Sequence, residues 1–124
     1  MTQRPGKAAD TRSLGQRGEE AAAGFLERRG WSIRDRNYRI REGEIDIIAV
    51  KGGEVSFVEV KTRRSGAFGT PGMAVTYAKR RKIRRTAMTW LSEQDCFYEI
   101  VSFSVIEVYA GDGRAEIRWL PDCF

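Results

Sequence analysis

Residues 43–61 read GEIDIIAVKGGEVSFVEVK, and this stretch decides the fold. It consists of two alternating apolar and polar runs joined by Lys51-Gly52-Gly53-Glu54, and Gly-Gly is a favoured two-residue hairpin turn. Counting outward from the turn pairs Lys51 with Glu54, Val50 with Val55, Ile48 with Phe57, Asp46 with Glu59 and Glu44 with Lys61. Successive side chains alternate between the faces of a strand, so these pairs share one face, apolar near the turn and ionisable at the far end. Two carboxylates then stand opposite each other, about 5 Å apart at Cβ. Like charges so placed repel unless a cation sits between them, and a divalent metal suits that place.

On either side of the hairpin the elements follow by periodicity. Residues 1–13 carry Arg4, Lys7 and Arg12 among small and polar residues and read as a flexible basic arm. Leu14, Ala21, Ala22, Phe25 and Leu26 predict a helix over 14–29 that stops at Gly30. Residues 31–40 alternate loosely, as an irregular strand, and the hairpin strands fall at 43–50 and 54–62. A Gly-rich basic loop, RRSGAFGTPG at 63–72, carries Phe68. The next helix starts at Met73 or Tyr77, with Thr76 a candidate N-cap, and ends at Ser92; Ile83, Ala87, Trp90 and Leu91 form its buried stripe. Strands over 97–109 and 115–120 complete the order α-β-β-β-α-β-β. Residues 14–124 thus form one α/β domain, a mixed central sheet flanked by helices.

Composition narrows the chemistry. The chain has 124 residues, no histidine and two cysteines, Cys96 and Cys123. Ser-His-Asp triads, histidine bases and histidine-ligated zinc or iron are therefore excluded. What remains is carboxylate, lysine, arginine, tyrosine and hydroxyl chemistry, with any metal a hard cation on oxygen ligands. No apolar run approaches a membrane span and no hydrophobic stretch follows the basic N-terminus, so a cytoplasmic protein without a membrane partner is expected. The net charge is +5, and nine Lys or Arg lie between Val60 and Ser92 with no acid among them. That asymmetry points to a polyanion, nucleic acid or an anionic membrane surface. A solvated basic face is the alternative.

Phosphodiester hydrolysis needs a metal to neutralise charge on the phosphate, an activated water and groups that hold both in line. Asp46 and Glu59 supply two carboxylates, the Val60 carbonyl offers a third oxygen, and Lys61 lies on the same face to orient water and stabilise the phosphate. Equally, Glu59 and Lys61 read as the solvated end of a two-sided strand, with Lys61 paired to Glu44 or Asp46, each pair contributing ~0.2–1 kcal/mol. Arg63 and Arg64 follow the Glu59-Val60-Lys61 strand and can reach flanking phosphates; Lys79, Lys82 and Arg85 can track a backbone further away. Phe68 reads as a hydrophobic plug or as a stacking wedge.

The GEIDIIA and FVEVKTRR segments resemble the PD-(D/E)xK nuclease motif. More specifically, the chain resembles the YraN-like family of small bacterial proteins from about Leu14 to Leu91, and loosely into the 97–108 strand. The likeness includes Leu14-Gly15, Gly18-Glu19, Arg36-Asn37-Tyr38, Gly43 to Asp46, Phe57 to Arg63, Phe68-Gly69 and Lys82. That family is similar to archaeal Holliday-junction resolvases, so the resemblance implies a restriction-endonuclease-like fold and a Mg²⁺- or Mn²⁺-dependent nuclease. It implies Asp46, Glu59 and Lys61 as catalytic residues, with Glu19 of the first helix as a further acid at the metal. DNA, branched or structured, is favoured over RNA, and the 97–109 strand or the basic helix offers a homodimer surface. A nucleic-acid-binding protein that keeps this fold without turnover is the alternative. One departure is Glu99, which stands where relatives tend to carry an aspartate after an aromatic; it reads as a strand-edge acid outside the site.

Overall fold

The computed structural model describes residues 12–64, 76–110 and 115–121. The arm over residues 1–11, Phe68 and Cys123 lie outside the described residues. Helix α1 spans Leu14–Arg28, β1 Ser32–Ile40, β2 Gly43–Lys51, β3 Glu54–Arg64, α2 Tyr77–Ser92, β4 Ile100–Ala110 and β5 Ala115–Leu120. The expected order of elements is observed, with strands β1 to β5 lying side by side in sequence order in one sheet. β3 and β4 are parallel, joined through α2, and the other neighbours are antiparallel.

Both helices are set by their caps. The Ser13 hydroxyl accepts from the Gln16 N–H while the Gln16 amide oxygen accepts from the Ser13 N–H, a reciprocal box that starts α1. Thr76 accepts from the Lys79 N–H and fixes the first turn of α2. Beyond α1, Gly30 takes a φ of 89°, the left-handed conformation that glycine enters at little cost.

The sheet divides the apolar residues between two cores. On one face Leu26 and Ala22 of α1 pack with Ile47, Val58, Ile106 and Val108. On the other, Ile83, Ala87 and Trp90 of α2 pack with Ile48, Phe57 and Val105. The stripe read from the sequence of α2 is thus the stripe that packs, with Leu91 half-buried at its end. β3 is covered on both faces, and residues 55–58 are all buried. β1 is one of the two edge strands, mostly exposed and rich in charge, with a register shift between Ile33 and Asp35 and a φ of 54° at Asn37. Charges and bulges on an edge discourage pairing with another chain.

The hairpin register agrees with the count from Gly52-Gly53 through Lys51–Glu54, Val50–Val55, Ile48–Phe57 and Ile47–Val58, and the paired ladder ends there. Beyond it the alternation also changes. Ile45 joins the core under α2, although strict alternation from Ile47 would turn it toward α1. β3 runs two residues beyond its predicted end, so Arg63 and Arg64 belong to the strand rather than to the loop.

Helix α1 reaches the sheet at Gly18, where a Cβ would lie 2.9 Å from the Thr62 Cβ and closer still to its hydroxyl. Gly18→Ala should therefore push α1 off β3 and cost about 1–3 kcal/mol. Thermal denaturation should show a Tm several degrees below wild type, with partial recovery in the double variant carrying Thr62→Gly. An unchanged Tm in the single variant would contradict this packing.

Candidate functional site

β2 and β3 separate just beyond Ile47–Val58, and the Asp46 carboxylate fills the fork. The Val60 N–H, left without a ladder partner there, donates to Asp46 Oδ2 at 2.8 Å. Asp46 is thereby locked against β3, beside rather than squarely opposite Glu59. Glu59 is 6% exposed. Its Oε1 accepts from Lys79 Nζ at 2.6 Å and has Lys61 Nζ at 3.8 Å. The two lysines lie close enough that each shifts the other's pKa. Glu44 pairs with Arg39 of β1 at 2.6 Å rather than with Lys61.

Asp46 and Glu59 line a cleft of about 400 Å³ between β2, β3 and the start of α2, with Glu44, Lys79 and Lys82 also on its walls. Gly43 forms its floor, where a Cβ would lie 2.8 Å from the Thr86 hydroxyl of α2. The absence of a side chain lets the helix close on the strand. Glu19 approaches from the opposite side, carried by the turn of α1 that Gly18 seats on Thr62. It lies near enough to raise the Asp46 pKa. Among the described residues, however, no three His, Cys, Asp or Glu side chains stand together as a metal-holding group. The fourth corner of the site is a lysine.

Lys79 was expected to follow a backbone away from the site, and the structure puts it inside. The signal was in the sequence: Lys79 is four residues before Ile83, and Ile83 four before Ala87, so Lys79 continues the buried stripe of α2. Lys82 lines the same cleft. Arg63 is half-buried, and Arg64 and Arg85 are exposed. Glu99 is an exposed residue beside Gly53, next to the hairpin turn and so at the other end of β3 from Lys61.

The charges are strongly interdependent. Asp46 is pushed up to about 7, first by burial and then by Glu59, with the Val60 N–H working in the other direction. Lys61 is lowered by burial and then by the neighbouring Lys79. Burial also works to lower Lys79, but its contact with Glu59 and the neighbouring Lys61 outweigh it and the net shift is upward. Of the two amines, Lys61 is therefore the one drawn toward the neutral form.

Residues 18–108 match Uncharacterised protein family UPF0102. The chain belongs to this family. It is 47% identical over 115 residues to a UPF0102 protein of Symbiobacterium thermophilum, covering 92% of this chain and 98% of that one. A Nocardia farcinica UPF0102 protein is 46% identical over 111 residues, covering 90% and 87%. One from Geobacter metallireducens is 43% identical over 113 residues, covering 91% and 93%. The region shared by the family contains Glu19, Asp46, Glu59, Lys61 and Lys79. No helix among the described residues is long and apolar enough to cross a membrane.

The Asp46 shift gives a stability signature. The folded carboxyl holds its proton more tightly than an unfolded one, whose pKa is about 3.9. Its stabilising contribution is complete below that value and is lost as pH rises through about 7. In chelator, Asp46→Asn should therefore gain Tm relative to wild type between pH 5 and pH 8, because it is never charged and still accepts from Val60. A difference between the two proteins that is flat with pH would show that Asp46 is not held this way.

Proposed function

We propose that this UPF0102 protein is a metal-dependent phosphodiesterase with a restriction-endonuclease-like fold, cutting DNA and preferring branched or structured DNA. The observation that carries the reading is the convergence of Asp46 and Glu59 at the β2–β3 fork, in a cleft whose walls include Lys79 and Lys82, with Lys61 Nζ 3.8 Å from Glu59. A half-buried Asp46 pushed up to about 7 beside the buried Glu59 carboxylate is a place that favours added positive charge. The donors are all oxygen, which suits Mg²⁺ or Mn²⁺.

In this reading Asp46 and Glu59 hold the cation and Glu19 adds charge from α1. A bound cation of this class would neutralise negative charge building on the phosphate. Lys61 Nζ, drawn toward the free amine, accepts a proton from the attacking water. Lys82 and Arg64 attract the DNA backbone, and so does Arg85 from the exposed side of α2. Lys79 has a second role, as the cation that already satisfies Glu59 in the free protein.

That same 2.6 Å contact supports a second reading, a nucleic-acid-binding protein without turnover. A lysine fixed on Glu59 takes up a carboxylate that a metal needs, and no third acid completes a group around it among the described residues.

Purified protein with Mn²⁺ and labelled four-way junction, duplex and single-stranded DNA separates the two. The nuclease reading expects cleavage that falls ~10²-fold or more in Asp46→Ala and in Lys61→Ala, with binding within a few fold of wild type. Binding without cleavage on every substrate leaves the second reading. Because Lys79 and a cation compete for Glu59, Lys79→Met should bind Mn²⁺ about tenfold tighter by calorimetry, whereas Glu59→Gln should bind it more weakly than wild type. Equal Mn²⁺ affinity in wild type and Lys79→Met would remove the competition.

A further inference from the structure

A buried carboxylate lies beyond the cleft, on the next strand. Glu107 of β4 is 1% exposed. It is the parallel partner of Lys61 and the antiparallel partner of Arg118 of β5. Tyr109 OH donates to its Oε1 at 3.1 Å. Arg63 Nε stands 3.6 Å from Oε2, and Arg118 Nη1 stands 3.9 Å from Oε1. Arg63, Glu107 and Arg118 thus form a row across three strands, continuing from Lys61 on the face that carries Glu59.

Three features of this row point outward to a ligand. Two guanidiniums, which stay charged at any ordinary pH, share one carboxylate, so the row keeps a surplus of positive charge. Arg63 Nε is buried and has no hydrogen-bond partner among the described residues, although its carboxylate is close by. Buried donors are normally satisfied, and an exception calls for an explanation. Finally, Glu107 faces the Nε edge of Arg63, which leaves the terminal nitrogens to fork onto another acceptor. Bidentate forks of this kind fit phosphate. Arg63 is two residues along β3 from Lys61, a step of about 6.6 Å. That is of the order of the spacing between neighbouring phosphates on one nucleic-acid strand.

We propose that Glu107 is a positioning residue that holds Arg63, with Arg118 beside it, as a clamp for the phosphate adjacent to the one at Lys61. The clamp rests on the phosphodiesterase reading for its substrate, but its test needs only binding. It explains a buried carboxylate at the rim of a basic face: the acid costs solvation in the free protein and fixes an arginine that would otherwise sweep through many rotamers.

The test uses four-way junction DNA in Ca²⁺, with single phosphates replaced in turn by neutral methylphosphonates. Wild type should show one position whose neutralisation weakens binding about tenfold, and Arg63→Ala should be insensitive at that position. Arg63→Ala should also lower the slope of log Kd against log salt by about one. Glu107→Gln should lose about three- to tenfold in affinity, and the Arg63→Ala/Glu107→Gln double variant should be no weaker than Arg63→Ala alone. Arg63→Lys keeps the charge but not the Nε edge, so it should behave like Arg63→Ala in the walk, which carries the test if Glu107→Gln fails to fold.

No sensitive position in wild type, additive losses in the double variant, or full rescue by Arg63→Lys would each overturn the clamp. A successful walk in a protein that never cleaves DNA would sink only the turnover reading. Cleavage without a sensitive position would sink only the clamp. Absence of any DNA binding would sink both.

Discussion

The hydrogen bond from the Val60 N–H to Asp46 is the contact on which the site depends. A strand N–H that leaves its ladder must find another acceptor, because an unpaired one is costly. Here the acceptor is a carboxylate of the departing strand. One bond therefore ends the β2–β3 pairing, fixes Asp46 and opens the space that α2 covers.

Charge burial follows the same strand. On the α2 face of β3, Val55 and Phe57 belong to the core, Glu59 to the cleft, Lys61 to its edge beside Glu59, and Arg63 to the row beyond. Each ionisable group in this series has a neighbour of opposite sign: Lys79 of α2 for Glu59, Glu59 of the same strand for Lys61, and Glu107 of β4 for Arg63. Removing one member strands another, and breaking a buried pair costs more than the pair contributes as a whole. The arrangement is thus tightly specified and modestly stabilising, as expected where geometry is held for chemistry.

Much of this was legible in the sequence. The Gly52-Gly53 turn fixed a register that the structure repeats through Ile47–Val58, and the stripe of Ile83, Ala87 and Trp90 identified the face of α2 that packs. Counting stops working where the ladder stops, since period-two alternation assumes an unbroken strand. For that reason the exact placement of Asp46 and the turn of Ile45 toward α2 were hidden. Glu107 was hidden for a different reason. In the run IVSFSVIEVY it reads as an ordinary polar position, and its burial depends on Arg63 and Arg118 from two other strands. Lys79 could have been found, but its place in a run of basic residues masked its place in the stripe.

The position of Lys79 also bears on why a basic helix lies over an acidic fork. The half-buried Asp46 and the buried Glu59 repel each other when both are charged, and in the free protein something must offset that repulsion. An ammonium at the third residue of α2 does so, and the Thr76 cap sets it there by fixing the first turn. A lysine suits the place because its charge is compact and its stem flexible. The rest of α2 is held independently, by Trp90 against Phe57 and by its indole N–H donating to Asp35 of β1. The helix can therefore remain docked whether or not its first lysine is engaged, which separates the packing of the fold from the occupancy of the site.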